Sequence, residues 1–99
     1  ALGAAREAIE WQVEQLARDH VEPMDSGCLL GKTAFPHEIQ RRLLLHCLHS
    51  CEPALSPRGQ QIDQTIAALE RGETITLGNV LCRGGERWTF QTAPMRRTS

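Results

Sequence analysis

Ninety-nine residues suffice for one domain with one modest core, since a chain of this size buries roughly 60–70% of the surface its unfolded form exposes. Ordinary apolar content (40%) and charged content (23%), no apolar run near the roughly 18 residues of a membrane span and no signal-peptide pattern make a soluble cytoplasmic protein the expectation. The net charge of −1 hides an asymmetry: residues 1–38 sum to −4, whereas residues 39–99 carry eight arginines and no lysine and sum to +3. An excess of this size suits a phosphate backbone and equally suits a solvated surface. Four cysteines, at 28, 47, 51 and 82, are too few and too unevenly placed for a secreted disulfide framework, so free thiols in a reducing compartment are expected.

The first expected element is a helix over about residues 2–21, where Leu2, Ala5, Ile9, Val13, Leu16, Ala17 and His20 recur on one face. Trp11 lies nearly opposite Ile9 and Val13. It either covers another part of the core or contacts a neighbouring domain, as exposed tryptophan does at interfaces. The chain starts without Met and inside this helix, which points to a piece of a longer protein. Residues 22–35, with Pro23, Asp25, Ser26 and Gly27, read as a connector pinned by Leu29 and Leu30. A second helix follows over 36–51, with Pro36 at its first position and Ile39, Leu43, Leu44, Cys47, Leu48 and Cys51 as its buried stripe. A third spans 57–71, with Ser56 as N-cap, Pro57 at its first position and Gly72 as the residue that ends it.

From Glu73 the period becomes two, which predicts a small antiparallel meander over about 74–91 turning at Gly78-Asn79 and Gly84-Gly85. A two-residue second turn would set Trp88 opposite Leu81. A three-residue loop would set it opposite Cys82, merging Ile75, Leu77, Val80, Cys82, Trp88 and Phe90 on one face, and is the register preferred here. Residues 93–99 read as a frayed tail. The fold class is therefore α+β: a single three-helix domain over 1–99, mainly α, with a C-terminal meander.

Few motifs carry chemistry. Gly27-Cys-Leu-Leu-Gly-Lys-Thr33 has three residues between its glycines where a phosphate loop needs four, and no hydrophobic strand is expected before it. In His46-Cys47-Leu48-His49-Ser50-Cys51 the histidines and the cysteines occupy different sides of one helix, so four ligands do not converge, and the cysteines fall on the apolar stripe. No metal site is expected, and His20 and His37 read as surface or capping residues. No nucleophile, base and orienting group stand in a recognisable pattern. Without a complete catalytic motif, holding a substrate is favoured over transforming one. Arg41 and Arg42 form a basic edge of the second helix, Arg83 and Arg87 flank the second turn, and Arg96 and Arg97 lie on the tail. All six are candidate phosphate contacts, adding affinity rather than selectivity.

The run Gln40-Arg-Arg-Leu-Leu, the Ser56-Pro57 helix ending Leu69-Glu-Arg-Gly72, and Thr76-Leu-Gly-Asn-Val-Leu-Cys-Arg-Gly-Gly-Glu-Arg-Trp-Thr-Phe90 stand in an order and spacing that resemble the tRNA(Ile)-lysidine synthetases, in the region after their catalytic domain. The resemblance covers about 38–97. It implies a parent ligase that uses ATP, with Mg, to adenylate the wobble cytidine of an isoleucine tRNA before lysine attacks. That chemistry belongs to an N-terminal PP-loop domain with a Ser-Gly-Gly-x-Asp-Ser loop, which this chain lacks. The implied partners are tRNA, the PP-loop domain of the same parent and, in a homodimeric parent, a second copy; Trp11 is the candidate interdomain contact. Two alternatives stand beside this. A winged-helix DNA-binding module would use the third helix as reader and residues 83–87 as wing, although Asp63 and Glu70 weaken that helix for DNA. A helical interaction module would bind no nucleic acid.

Overall fold

The computed structural model describes residues 2–93. In chain order it contains α1 (Leu2–His20), β1 (Val21–Met24), β2 (Gly27–Leu30), α2 (His37–Cys51), α3 (Gly59–Glu70), β3 (Thr74–Leu77), β4 (Val80–Arg83) and β5 (Trp88–Thr92). This is an α+β fold, with one five-stranded antiparallel sheet in the order β1-β2-β5-β4-β3.

Strand alternation decides which sheet face is covered. Cys28 and Leu30 of β2, Val80 and Cys82 of β4, and Trp88 and Phe90 of β5 are all buried, and α2 packs across β2 and β5 while α3 packs on β3. α2 contributes Leu43, Leu44, Cys47 and Leu48 to this core, and α3 contributes Ile62, Ile66 and Leu69. The opposite sheet face carries Leu29, Leu81, Thr89 and Gln91, all partly exposed. α1 buries Val13 and Ala17 and is held mainly by α2 and the first hairpin.

Residues 22–35 are not a simple connector. Their first part is the β1–β2 hairpin, with Val21 opposite Leu30 and Met24 opposite Gly27. β2 then adds to β5, so the expected meander is the larger part of a wider sheet. The hairpin escapes the period-two pattern because β1 is an edge strand bearing Pro23, and β2 gains its place by lying against β5. A Cβ on Gly27 would sit 1.8 Å from the Phe90 carbonyl oxygen, so only glycine permits that approach.

Three boundary details also differ. Pro36 caps α2 rather than occupying its first turn. α3 starts at Gly59, with Arg58 and not Ser56 at the N-cap; the Arg58 backbone N–H donates to Gln61 Oε1 at 2.9 Å, so a side chain inside the helix satisfies the cap backbone. Trp88 lies opposite Leu30, and Phe90 takes the place opposite Cys82. The β4–β5 connection is thus longer than three residues, yet the six apolar side chains keep one face because the shift is by an even number of residues. The end of α3 is as expected: Gly72 has φ +78, its N–H donates to the Leu69 carbonyl, and the Glu73 N–H reaches the Ala68 carbonyl.

Candidate nucleic-acid interface

The structure divides the six arginine candidates. Arg41 and Arg42 sit on α2 with side chains about one-third exposed, 33% and 32%. Arg42 Nε donates to Glu38 Oε2 at 2.9 Å, one helical turn away. Arg41 Nε lies 3.4 Å from Asp63 Oδ1 of α3, an ion-pair distance without hydrogen-bond alignment, and His37 Nε2 lies 3.0 Å from the same oxygen. Much of the charge of this basic edge is therefore met inside the domain. Asp63 comes from a different helix, so no spacing rule along α2 reveals it.

Arg83 and Arg87 are exposed at either end of the β4–β5 connection, and no carboxylate of the described residues lies within ion-pairing distance of them. Arg83 shares the open sheet face with Leu81. Arg87 and Lys32 line one hollow of about 250 Å³ with Asp19, His20, Glu22, Leu29 and Gly31. Pairing of Leu30 with Trp88 brings the two cations together, because each lies one or two residues outside that pair. Lys32 Nζ also sits 5.2 Å from the centroid of the Phe35 ring, a cation–π distance. Lys32 was missed in the sequence because the strand before it was missed. Arg96 and Arg97 lie outside the described residues.

Trp11 is 64% exposed, on the side of α1 away from Val13 and Ala17, so it is not part of the core.

All four thiols gather beneath α2. Cys28 and Cys82 stand on either side of Phe90 in the sheet register; Cys28 Sγ lies 3.9 Å from the Cys47 carbonyl oxygen, and Cys51 Sγ lies 3.4 Å from the Phe90 carbonyl oxygen. The neighbouring Cys47 thiol, helped by Cys51, holds Cys28 below the ordinary thiol value against the opposing effect of burial. Cys47 is pushed up by the same contact and by burial. Burial raises Cys51 to about 11 and Cys82 to about 12. Cys51 is only half-buried, a correction to its expected place on the fully covered stripe. Both nearby histidines are exposed, with His49 Nε2 2.9 Å from the Leu55 carbonyl oxygen. Among the described residues no group of three or more His, Cys, Asp or Glu side chains is arranged to hold a metal ion.

Sequence comparison decides the relationship. Over 93 residues, 94% of this chain, 32% of positions are identical to the tRNA(Ile)-lysidine synthase of Zymomonas mobilis subsp. mobilis. The chain is a relative of that synthase. It spans 28% of the synthase's length, so the shared region is one part of a longer protein. No family profile and no solved structure matches the chain. Near-complete coverage means the matched part of the synthase takes in α1 and the first hairpin as well as α2 to β5. No helix of the described residues is long and apolar enough to cross a membrane.

Proposed function

We propose that this chain is the tRNA-holding part of a tRNA(Ile)-lysidine synthase and leaves the chemistry to another domain. The observation that carries the reading is identity to a synthase along nearly the whole chain, in residues without a catalytic motif. The charge pattern supports it: of the five described Lys and Arg side chains without a carboxylate partner, Arg18, Lys32, Arg58, Arg83 and Arg87, three lie at the end of the sheet where Leu30 pairs with Trp88 and Arg83 with Thr89. Phosphate contacts of this kind position an RNA without reading its bases.

In this reading ATP and Mg²⁺ are held by another domain of the parent. The one glycine-bearing stretch that approaches a phosphate loop is β2 and the residues after it, and Gly27 is packed against the Phe90 carbonyl. A PP-loop domain of the same parent would supply that site, in the cytoplasm, and the exposed Trp11 is the contact proposed for it. The winged-helix alternative loses ground because α3, its reading helix, exposes Gln60, Asp63, Gln64 and Glu70 between Arg58 and Arg71 at its two caps, and Arg71 is paired with Glu73.

The test is binding of isoleucine tRNA across a range of salt concentrations, with duplex DNA as control. An Arg83→Ala, Arg87→Ala double variant should lower the salt slope by about two units, one for each phosphate contact, while Arg41→Ala should change it less. Equal slopes for all proteins would remove the turn from the interface. Tighter, sequence-dependent binding to DNA would overturn the function.

A further inference from the structure

A second hollow, of about 580 Å³, opens where the loop after β2, the first turn of α2, the last turn of α3 and the β4–β5 connection meet. Thr33, Phe35, Gln40, Glu70, Gly85 and Trp88 line it. Gln40, only 6% exposed, donates its amide N–H groups to the Thr33 carbonyl at 2.8 Å and to Glu70 Oε2 at 3.3 Å. Its own oxygen and the second oxygen of Glu70 receive no donor from the described residues. Trp88 offers the reverse: it is fully buried, and its indole Nε1–H has no acceptor among them. A buried N–H without a partner is costly and rare, so one carried by a residue that lines a polar hollow asks for an acceptor brought from outside.

We propose that this hollow binds an unpaired guanine base of an RNA, with guanine O6 accepting from the Trp88 indole and its N1–H and amino groups donating to Gln40 and Glu70. The choice of base follows from counting donors and acceptors. Guanine presents one acceptor beside two donors; cytosine presents the reverse, uracil alternates, and adenine offers one of each. Phe35 provides a ring face for stacking, as is usual where single-stranded RNA is read, and Lys32 and Arg87 lie beside the hollow where the flanking phosphates would run. Nε1 has no contact with solvent, so the wall of the hollow, to which the β4–β5 connection contributes Gly85, must shift as the base goes in. That movement would give up the hydrogen bonds from the Gly84 N–H to the Glu73 carbonyl and from the Gly85 N–H to the Leu69 carbonyl. The ligand class, though not the hollow, rests on the tRNA-binding reading.

The chain has two tryptophans and hence two indole N–H signals, with Trp11 as an internal control. The ¹⁵N-labelled protein is titrated with each of the four nucleoside 5′-monophosphates, which keeps the phosphate constant while the base varies. GMP should move the Trp88 signal with Trp11 unmoved, and CMP, UMP and AMP should have little effect. Glu70→Gln should weaken the GMP response about tenfold, the weight of one charge-assisted hydrogen bond, while the Trp88 signal of the free protein keeps its position. Equal responses to all four nucleotides, or none at millimolar concentration, would overturn the proposal. If tRNA binds in a salt-dependent way while GMP leaves Trp88 unmoved, the hollow is wrong and the tRNA reading survives. If GMP moves Trp88 but tRNA does not bind, the hollow stands and the tRNA reading fails.

Discussion

The two hairpins on either side of β5 are held by different means. β3 and β4 turn through Gly78-Asn79 with Gly78 at φ +60, a backbone that suits glycine and matches the twist of the strands it joins. β1 and β2 turn through Asp25-Ser26 with Ser26 at φ +68, the one non-glycine residue of those described in the left-handed region. β3 and β4 alternate covered and exposed residues, whereas β1 is exposed at three of its four positions and includes Pro23. One hairpin is specified by its own turn and strands. The other carries an unfavourable turn and depends on docking β2 along β5, through the gap Gly27 leaves for Phe90. Local specification and tertiary docking thus coexist in one sheet, and mutations should separate them.

The largest effect is expected from Gly27→Ala. Its Cβ cannot share space with the Phe90 carbonyl, so β2 must leave β5, and the loss should exceed about 4 kcal/mol in urea unfolding. A wild-type midpoint would show that the two strands are not in this contact. Next comes Trp88→Ala, which empties the largest fully buried side chain from the junction of both hairpins; about 3–5 kcal/mol should be lost. An unchanged thermal midpoint would place the ring outside the core. Gly78→Ala should cost about 1–2 kcal/mol, because alanine resists positive φ and its Cβ would press on Leu55 Cδ1 at 2.7 Å. The smallest change, Ser26→Gly, should stabilise by roughly 0.5 kcal/mol, since it relieves the left-handed strain at the expense of a more flexible unfolded chain. Destabilisation by this variant would mean that the serine side chain supports the first turn.

The same contrast explains what could be read from residue order. α2, α3 and the strands from Thr74 onward follow from periodicity, because each buries one face that its own sequence marks. β1 and β2 do not: Val21-Glu-Pro-Met and Gly-Cys-Leu-Leu show little alternation, and their turn residues suggest a loop. Missing β2 also hid Cys28 beneath α2 and Lys32 beside Arg87. Arg41 and Arg42 were visible as charges, but Asp63, which lies beside Arg41, is on another helix. The hollow beside Trp88 draws on four separated segments, and no local pattern announces it.

The middle strand of the sheet is the last one made. Because β5 lies between β2 and β4, nothing joins the two hairpins side by side until residues 88–92 have been synthesised. At roughly 5–20 residues per second, the ribosome takes several seconds to go from Cys28 to Phe90, and during that time β2 has no strand on its inner side. A nascent chain that stalls before Trp88 would present Cys28 and Leu30 on one hairpin and Val80 and Cys82 on the other, each awaiting the same strand. Vectorial synthesis therefore makes docking of the first hairpin a late event, however early its residues appear.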